Sequence, residues 1–228
     1  MSKLYGIGVG PGDPELMTLK AVRIIEESDL IVVPASGKEV NAAYTIASGA
    51  VKALADKPLM EVDMPMIRDK EALAASHQLA AEKIMAQLDQ GKTIAFLTLG
   101  DPSVYSTYTY VHDLVRAKGY PAQIIPGIPS FCAVAARLNE GLTKAHQALH
   151  IIPASYKDLE ESLELKGTKV LMKSGKSIGK IKNLLMERED LSVKMVERCG
   201  MDGEKVYSSV EEIDEAAGYF SIVVVKEK

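Results

Sequence analysis

The chain has 228 residues, long for one domain and short for three, and its 47% hydrophobic and 25% charged residues exclude a disordered or fibrous protein. Its 27 Lys and Arg against 31 Asp and Glu leave a formal charge of -4, which argues against polynucleotide or anionic-membrane partners while leaving room for a local basic patch that binds a small acidic ligand. Two distant cysteines, Cys132 and Cys199, read as reduced thiols rather than a disulfide framework or zinc site. With no leader pattern and no apolar run near the ~20 residues of a membrane helix, a cytoplasmic protein is expected.

In chain order, Lys3 to Val9 alternates apolar residues with glycine and breaks into Gly10-Pro11-Gly12-Asp13-Pro14, a strand entering a tight loop. Thr18 is placed to cap a helix carrying Leu19 and Val22, and Leu30 to Val33 follows as a short buried strand stopped by Pro34. Helices are expected over Tyr44 to Leu54 and Glu71 to Asp89, the second with Ala80, Ile84 and Leu88 on one face and Gly91 beyond its end. Thr93 to Leu99 is an apolar strand of the kind buried on both faces of a parallel sheet. Val111, Leu114 and Val115 mark a helix ending at Arg116, Lys118 and Gly119.

A second series follows: strand Ala122 to Ile125, helix Ser130 to Leu138, helix Ile178 to Met186, and strands at Leu149 to Ile152, Lys169 to Met172, Val193 to Glu197 and Phe220 to Lys226. Alternation of strands and helices gives the class α/β, with a domain boundary expected at Lys118 to Tyr120, hence domains 1–118 and 119–228.

Three strand-end loops carry glycine and proline: "GVGPGDPELMT" from Gly8, "LTLGDPSVYST" from Leu97 and "IIPGIPSF" from Ile124. The first does not keep the GxGxxG spacing of a dinucleotide site, because the third position falls on Pro11 or Asp13. Its glycines leave bare backbone that a flat or bulky ligand can approach, and Pro11 makes it rigid. In the second loop Asp101 is placed to accept hydrogen bonds from a ribose or amino group, or to serve as a turn residue, and Ser106 and Thr107 to bind ligand or cap the next helix.

Taken together, these loops resemble the hallmark GxGPGD, GDP and PG(I/V)(T/P)(S/A) loops of the tetrapyrrole methylase family, and the resemblance covers essentially the whole chain. "GVGPGDPELMTLKAV", "FLTLGDPSVYSTYTYV", "PGIPSFCAVAAR" and "VERCGMDGEKVY" resemble the branch that methylates carbon 20 of precorrin-2 or cobalt-precorrin-2. The resemblance implies two α/β domains with S-adenosylmethionine in the cleft between them, a reduced tetrapyrrole as substrate, and a homodimer. It implies cofactor contacts at Pro11, Gly100, Asp101, Val104, Ser106, Thr107, Pro129, Ser130 and Phe131, and, more loosely matched, at Lys173, Cys199 and Gly200. Relatives that methylate uroporphyrinogen carry an Asp in the loop after the second strand. This chain has Pro34-Ala35-Ser36-Gly37 there, so a general base is not implied at that position.

Candidates for proton transfer or macrocycle contact are Tyr105, Tyr108, Tyr110 and His112. A helix through this segment would put Tyr105 and Tyr108 on one face and Tyr110 elsewhere. His77 reads as a solvated helix residue. His146 and His150 lack a third ligand, so no protein-held metal is expected. Lys173, Lys176 and Arg198 fall near strand ends and are either surface charge or partners for the substrate's carboxylates.

Overall fold

The computed structural model describes residues 2–35, 41–65, 67, 69–154 and 159–228, the side chain of Lys176 excepted. Ser36 and Gly37 of the loop after the second strand therefore lie outside the described residues. The chain divides into two compact units, Met1–Pro129 and Ser130–Lys228.

The first unit is built on strands β1 (Lys3–Gly8), β2 (Leu30–Pro34), β3 (Leu59–Val62), β4 (Thr93–Thr98) and β5 (Ala122–Ile125), in the order β3-β2-β4-β1-β5 with every pair parallel. Ile94 through Leu97 of the central β4 are fully buried, as its uninterrupted apolar run requires. Helices α1 (Leu19–Glu27), α2 (Ala42–Ala50), α3 (Lys70–Leu88) and α4 (Tyr108–Ala117) connect them. The Thr18 hydroxyl accepts from the Ala21 N–H at 3.1 Å, which makes it the expected cap of α1. Ala80, Ile84 and Leu88 of α3 pack with Phe96, Val111 and Val115 in one core. Each such large side chain contributes about 1.5–3 kcal/mol by leaving water.

Two features differ from the sequence reading. The helix expected over Tyr44 to Leu54 ends at Ala50, and a separate 3-10 turn spans Lys52–Asp56. The edge strand β3 was not anticipated, because four residues with Leu59 exposed lack the burial pattern that marks a strand. The boundary also moves. β5 pairs with β1, Leu4 beside Ala122, so the first sheet claims the segment beyond Gly119 and the units part at Pro129, not at residue 118.

The second unit holds β6 (Leu149–Pro153), β7 (Thr168–Met172), β8 (Leu191–Glu197), β9 (Lys205–Tyr207) and β10 (Ser221–Glu227) in the order β6-β7-β10-β8-β9. Only β6 and β7 run parallel; β10 lies antiparallel to β7 and β8, and β8 and β9 form a hairpin. Helices α5 (Ser130–Arg137), α6 (Leu159–Leu163) and α7 (Ile178–Met186) accompany this sheet. Ile178, Ile181 and Leu185 of α7 are buried together with Leu171, Met195 and Val223. The short α6 and β9 escape a periodicity argument because neither completes enough repeats. Among the described residues no helix is long and apolar enough to cross a membrane.

Candidate functional site

Open α/β sheets bind ligands beyond the carboxyl ends of their strands, and in the first unit β1, β4 and β5 end in the three Gly/Pro loops. These loops meet through main chain. Gly10 and Gly100, both at positive φ (78° and 68°), form an antiparallel bridge with N–H···O distances of 3.2 and 2.8 Å. A Cβ on Gly8 would lie 2.5 Å from the Gly127 nitrogen, and one on Gly127 would lie 2.2 Å from the Gly100 carbonyl oxygen. A Cβ on Gly6 would strike the Tyr108 ring at 2.0 Å. The bare backbone expected to face a ligand in the first loop is, at Gly8, occupied by close packing within the protein, as are Gly6 before it and Gly127 of the third loop.

Asp101 fastens the same junction. It is buried; one carboxylate oxygen accepts from the Ser103 N–H and hydroxyl at 2.8 and 2.5 Å, and the other accepts from the Gly127 N–H at 2.9 Å. Both oxygens expected to receive a ribose or amino group are thus engaged by protein donors, and the geometry makes Asp101 first a clasp between the β4 and β5 loops. The Ser106 hydroxyl lies 2.9 Å from that of Thr98 and accepts from the Tyr108 N–H at 3.2 Å, so it caps α4. Thr107, at the formal cap position, makes no side-chain cap bond. Pro11 is buried, and Val104 and Thr107 are half-buried.

The aromatic candidates separate sharply. Tyr108 is fully buried, and its hydroxyl lies 3.0 Å from Nδ1 of the buried His112. Burial pushes the phenol well above its usual range and the imidazole below its own. This pair is packed into the interior of the first unit. Tyr105 lies before α4 at a φ of 49° and is exposed, so it shares no helix face with Tyr108. Tyr110 is exposed and stacks on His77, with ring centroids 4.6 Å apart. His77 is 4% exposed, and its Nε2 has no hydrogen-bond partner among the described residues. The solvated histidine expected from the sequence is therefore a desolvated one, covered by the tyrosine ring.

In the second unit, Lys173 follows β7 at a φ of 56°, and burial lowers its ammonium pKa. Arg198, Cys199 and Gly200 follow β8. Arg198 and Gly200 have φ of 54° and 73°, and burial pushes the Cys199 thiol up to about 11, which keeps it protonated at neutral pH. The Arg198 Nε donates to the Asp202 carbonyl at 2.6 Å. Phe131 is buried, with Ser130 and Pro129 half-buried. His150 lies with Nε2 2.9 Å from the Lys166 carbonyl oxygen, and the side chain of Lys176 lies outside the described residues.

Sequence reasoning passed over Thr98, Ser103, Gly127 and Glu204. A Ser two positions after an Asp is a turn signal that points to Ser103, but the tie between Asp101 and Gly127 spans 26 positions and leaves no local pattern.

A family model described as Tetrapyrrole (Corrin/Porphyrin) Methylases matches residues 3–214. The chain belongs to the tetrapyrrole methylase family. It is 36% identical, over 99% of its length and 96% of the relative's, to a protein of Methanocaldococcus jannaschii named "Probable cobalt-precorrin-2 C(20)-methyltransferase". It is 31% identical, over 99% and 95% of the two chains, to a "Precorrin-2 C(20)-methyltransferase" of Sinorhizobium sp. The crystal structure of a cobalt precorrin-4 methyltransferase shares the fold with a TM-score of 0.76 over 98% of this chain and 94% of that one, at 21% identity. This tetrapyrrole methylase is a methyltransferase that takes its methyl group from S-adenosylmethionine. The loops suit that donor. Residues 8–13, 99–107 and 126–131 contain Asp13 and Asp101 and no Lys or Arg, a charge balance that accommodates a sulfonium.

Proposed function

We propose that this tetrapyrrole methylase transfers a methyl group to carbon 20 of precorrin-2 or cobalt-precorrin-2, as a cytoplasmic homodimer. The observation that carries the substrate reading is the 36% identity, nearly end to end in both chains, to a relative named for that position. We assign cofactor contacts to Pro11, Gly100, Asp101, Val104, Ser106, Thr107, Pro129, Ser130 and Phe131, and to backbone at Lys173, Cys199 and Gly200. When bound, S-adenosylmethionine supplies an electrophilic methyl group on a good leaving group.

The chain's own work is then placement, which supplies up to roughly 7–11 kcal/mol in well-oriented reactions. Asp101 and the glycine junction fix the β1, β4 and β5 loops, and Lys173 and Arg198 are basic groups for the acetate and propionate arms of the substrate. Tyr108 and His112, closed in the core, are unsuited to moving the proton that leaves the bridge carbon, so water or one of the exposed tyrosines, Tyr105 and Tyr110, remains for that step.

The test is incubation with precorrin-2 and, separately, cobalt-precorrin-2, plus donor labelled with carbon-13 in its methyl group. One labelled methyl at carbon 20 is expected. Label at another carbon, or none while both ligands bind, overturns the reading. Sedimentation equilibrium is expected to give twice the chain mass.

A further inference from the structure

We infer that Glu204, held by Arg137, is a positioning residue that sets the Cys199–Gly200 backbone for the cofactor; this rests on the reading that this backbone contacts S-adenosylmethionine. The β8–β9 hairpin turns over residues 198–204, and the turn contains three left-handed residues, Arg198, Gly200 and Gly203, at φ of 54°, 73° and 79°. A segment bent this way has few main-chain bonds to fix it: Arg198 N–H to Phe220 O at 3.0 Å, Met201 N–H to Arg198 O at 2.8 Å and Glu204 N–H to Met201 O at 3.2 Å. Beside the bond from Arg198 Nε to the Asp202 carbonyl, the Glu204 carboxylate adds a second side-chain restraint, one that reaches outside the turn. One oxygen accepts the Gly200 N–H at 2.9 Å, and the other accepts the Arg137 Nε in an ion pair. Glu204 is the more sheltered member, with its side chain 23% exposed against 52% for Arg137. Both donors hold its carboxyl below the usual range, so it stays charged at neutral pH.

Arg137 ends α5, the helix whose first residues are Ser130 and Phe131. The ion pair therefore joins two stretches of the second unit to which cofactor contacts are assigned, and it does so through side chains that carry none of those contacts. Losing the carboxylate would free the Gly200 N–H and release the turn, whereas losing only the guanidinium would loosen it.

The test uses the full chain and S-adenosylhomocysteine as the calorimetric probe. Glu204→Ala is expected to raise its Kd about tenfold and Arg137→Met about threefold, the size of one charge-assisted hydrogen bond and of its weaker support. The double variant should bind no worse than Glu204→Ala, since Arg137 acts through Glu204, and Glu204→Gln, which keeps an acceptor for Gly200, should recover part of the loss. The melting temperature should fall by no more than about 4 °C, which a general loss of structure would not allow. If Glu204→Ala does not fold, Glu204→Gln and Arg137→Met carry the comparison. Hydrogen exchange of 198–204 separates the two ways to fail. If S-adenosylhomocysteine slows exchange there in the native chain but Glu204→Ala and Arg137→Met bind it normally, the positioning role is wrong and the contact stands. If exchange there is unchanged by the ligand, the contact reading falls and the positioning role with it.

Discussion

In Met1–Pro129 the strands are all parallel, and the loops at the ends of β1, β4 and β5 are locked by main chain against main chain, with Gly8, Gly100 and Gly127 at the junction and one carboxylate, Asp101, tying it. In Ser130–Lys228 four of the five strands join antiparallel pairs, and carboxylates hold the irregular segments. Glu204 ties Gly200 to Arg137, Glu197 accepts from the Gly218 N–H at 2.6 Å, and Glu140 bridges Lys194 and Lys226. A junction of glycines tolerates no added carbon, and its main-chain bonds, the Asp101 tie apart, do not respond to pH or salt. One held by charged side chains degrades by steps and responds to both.

The sharpest way to break this comparison is to add one methyl group. Gly127→Ala should destabilise the first unit by at least ~3 kcal/mol, because the carbon would sit 2.2 Å from a carbonyl oxygen that cannot move without displacing Gly10. The melting temperature should fall by roughly 6–12 °C. Gly91→Ala is the control: its φ is 83° but nothing lies within 4 Å of the new carbon, so only backbone strain of about 1–2 kcal/mol is added. Equal losses in the two variants would remove the junction argument.

Asp101→Ala should cost about 1–3 kcal/mol, since the Gly127 and Ser103 donors lose their acceptor. It should also weaken S-adenosylhomocysteine about tenfold as two loops separate. Thermal melts and calorimetry on the same sample divide the two effects. Reduced stability with normal affinity per folded molecule would mean that the clasp serves only the fold.

Most of the first unit is legible in sequence because its determinants are local and apolar: the buried run of β4, the Thr18 cap, the Ala80, Ile84 and Leu88 face, and glycine-proline loops after three strands. The second unit is less legible at its turns, since Glu204 and Arg137 lie 67 positions apart and each reads as surface charge until the hairpin brings them together. The tyrosines fail for another reason. The expected shared face assumed a helix through Tyr105, but α4 starts at Tyr108, beneath Gly6, and the burial of that ring is set by a strand about a hundred positions away.

A smaller effect is expected from Tyr108→Phe, which removes the bond to His112 at a cost of about 1 kcal/mol while leaving turnover nearly unchanged. Single replacements of Tyr105, Tyr110 and His112 should lower turnover by no more than about a hundredfold each if placement carries catalysis. A variant that binds both ligands and turns over neither substrate would identify a proton-transfer catalyst.

The smallest effect concerns pH. Burial lowers the pKa of His77, so the unfolded chain binds its proton first. The stability tied to neutral His77 is complete above the unfolded pKa of about 6.5 and declines as pH falls below it. Melts between pH 7.5 and 5.5 should show that decline, and His77→Phe, which keeps a ring under Tyr110, should reduce it, the buried His112 supplying the remainder. In the second unit the corresponding loss comes lower, as Glu140 and Glu204, both held below the usual carboxylate range, take up protons.

The most direct measurement of the central claim, that the loops after β1, β4 and β5 shape a site for S-adenosylmethionine, is calorimetric titration of S-adenosylhomocysteine into the native chain, Asp101→Ala and Gly91→Ala. One ligand per native chain is predicted, with affinity reduced in Asp101→Ala and kept in Gly91→Ala. No binding to the folded native chain, or identical affinity in all three, would contradict it.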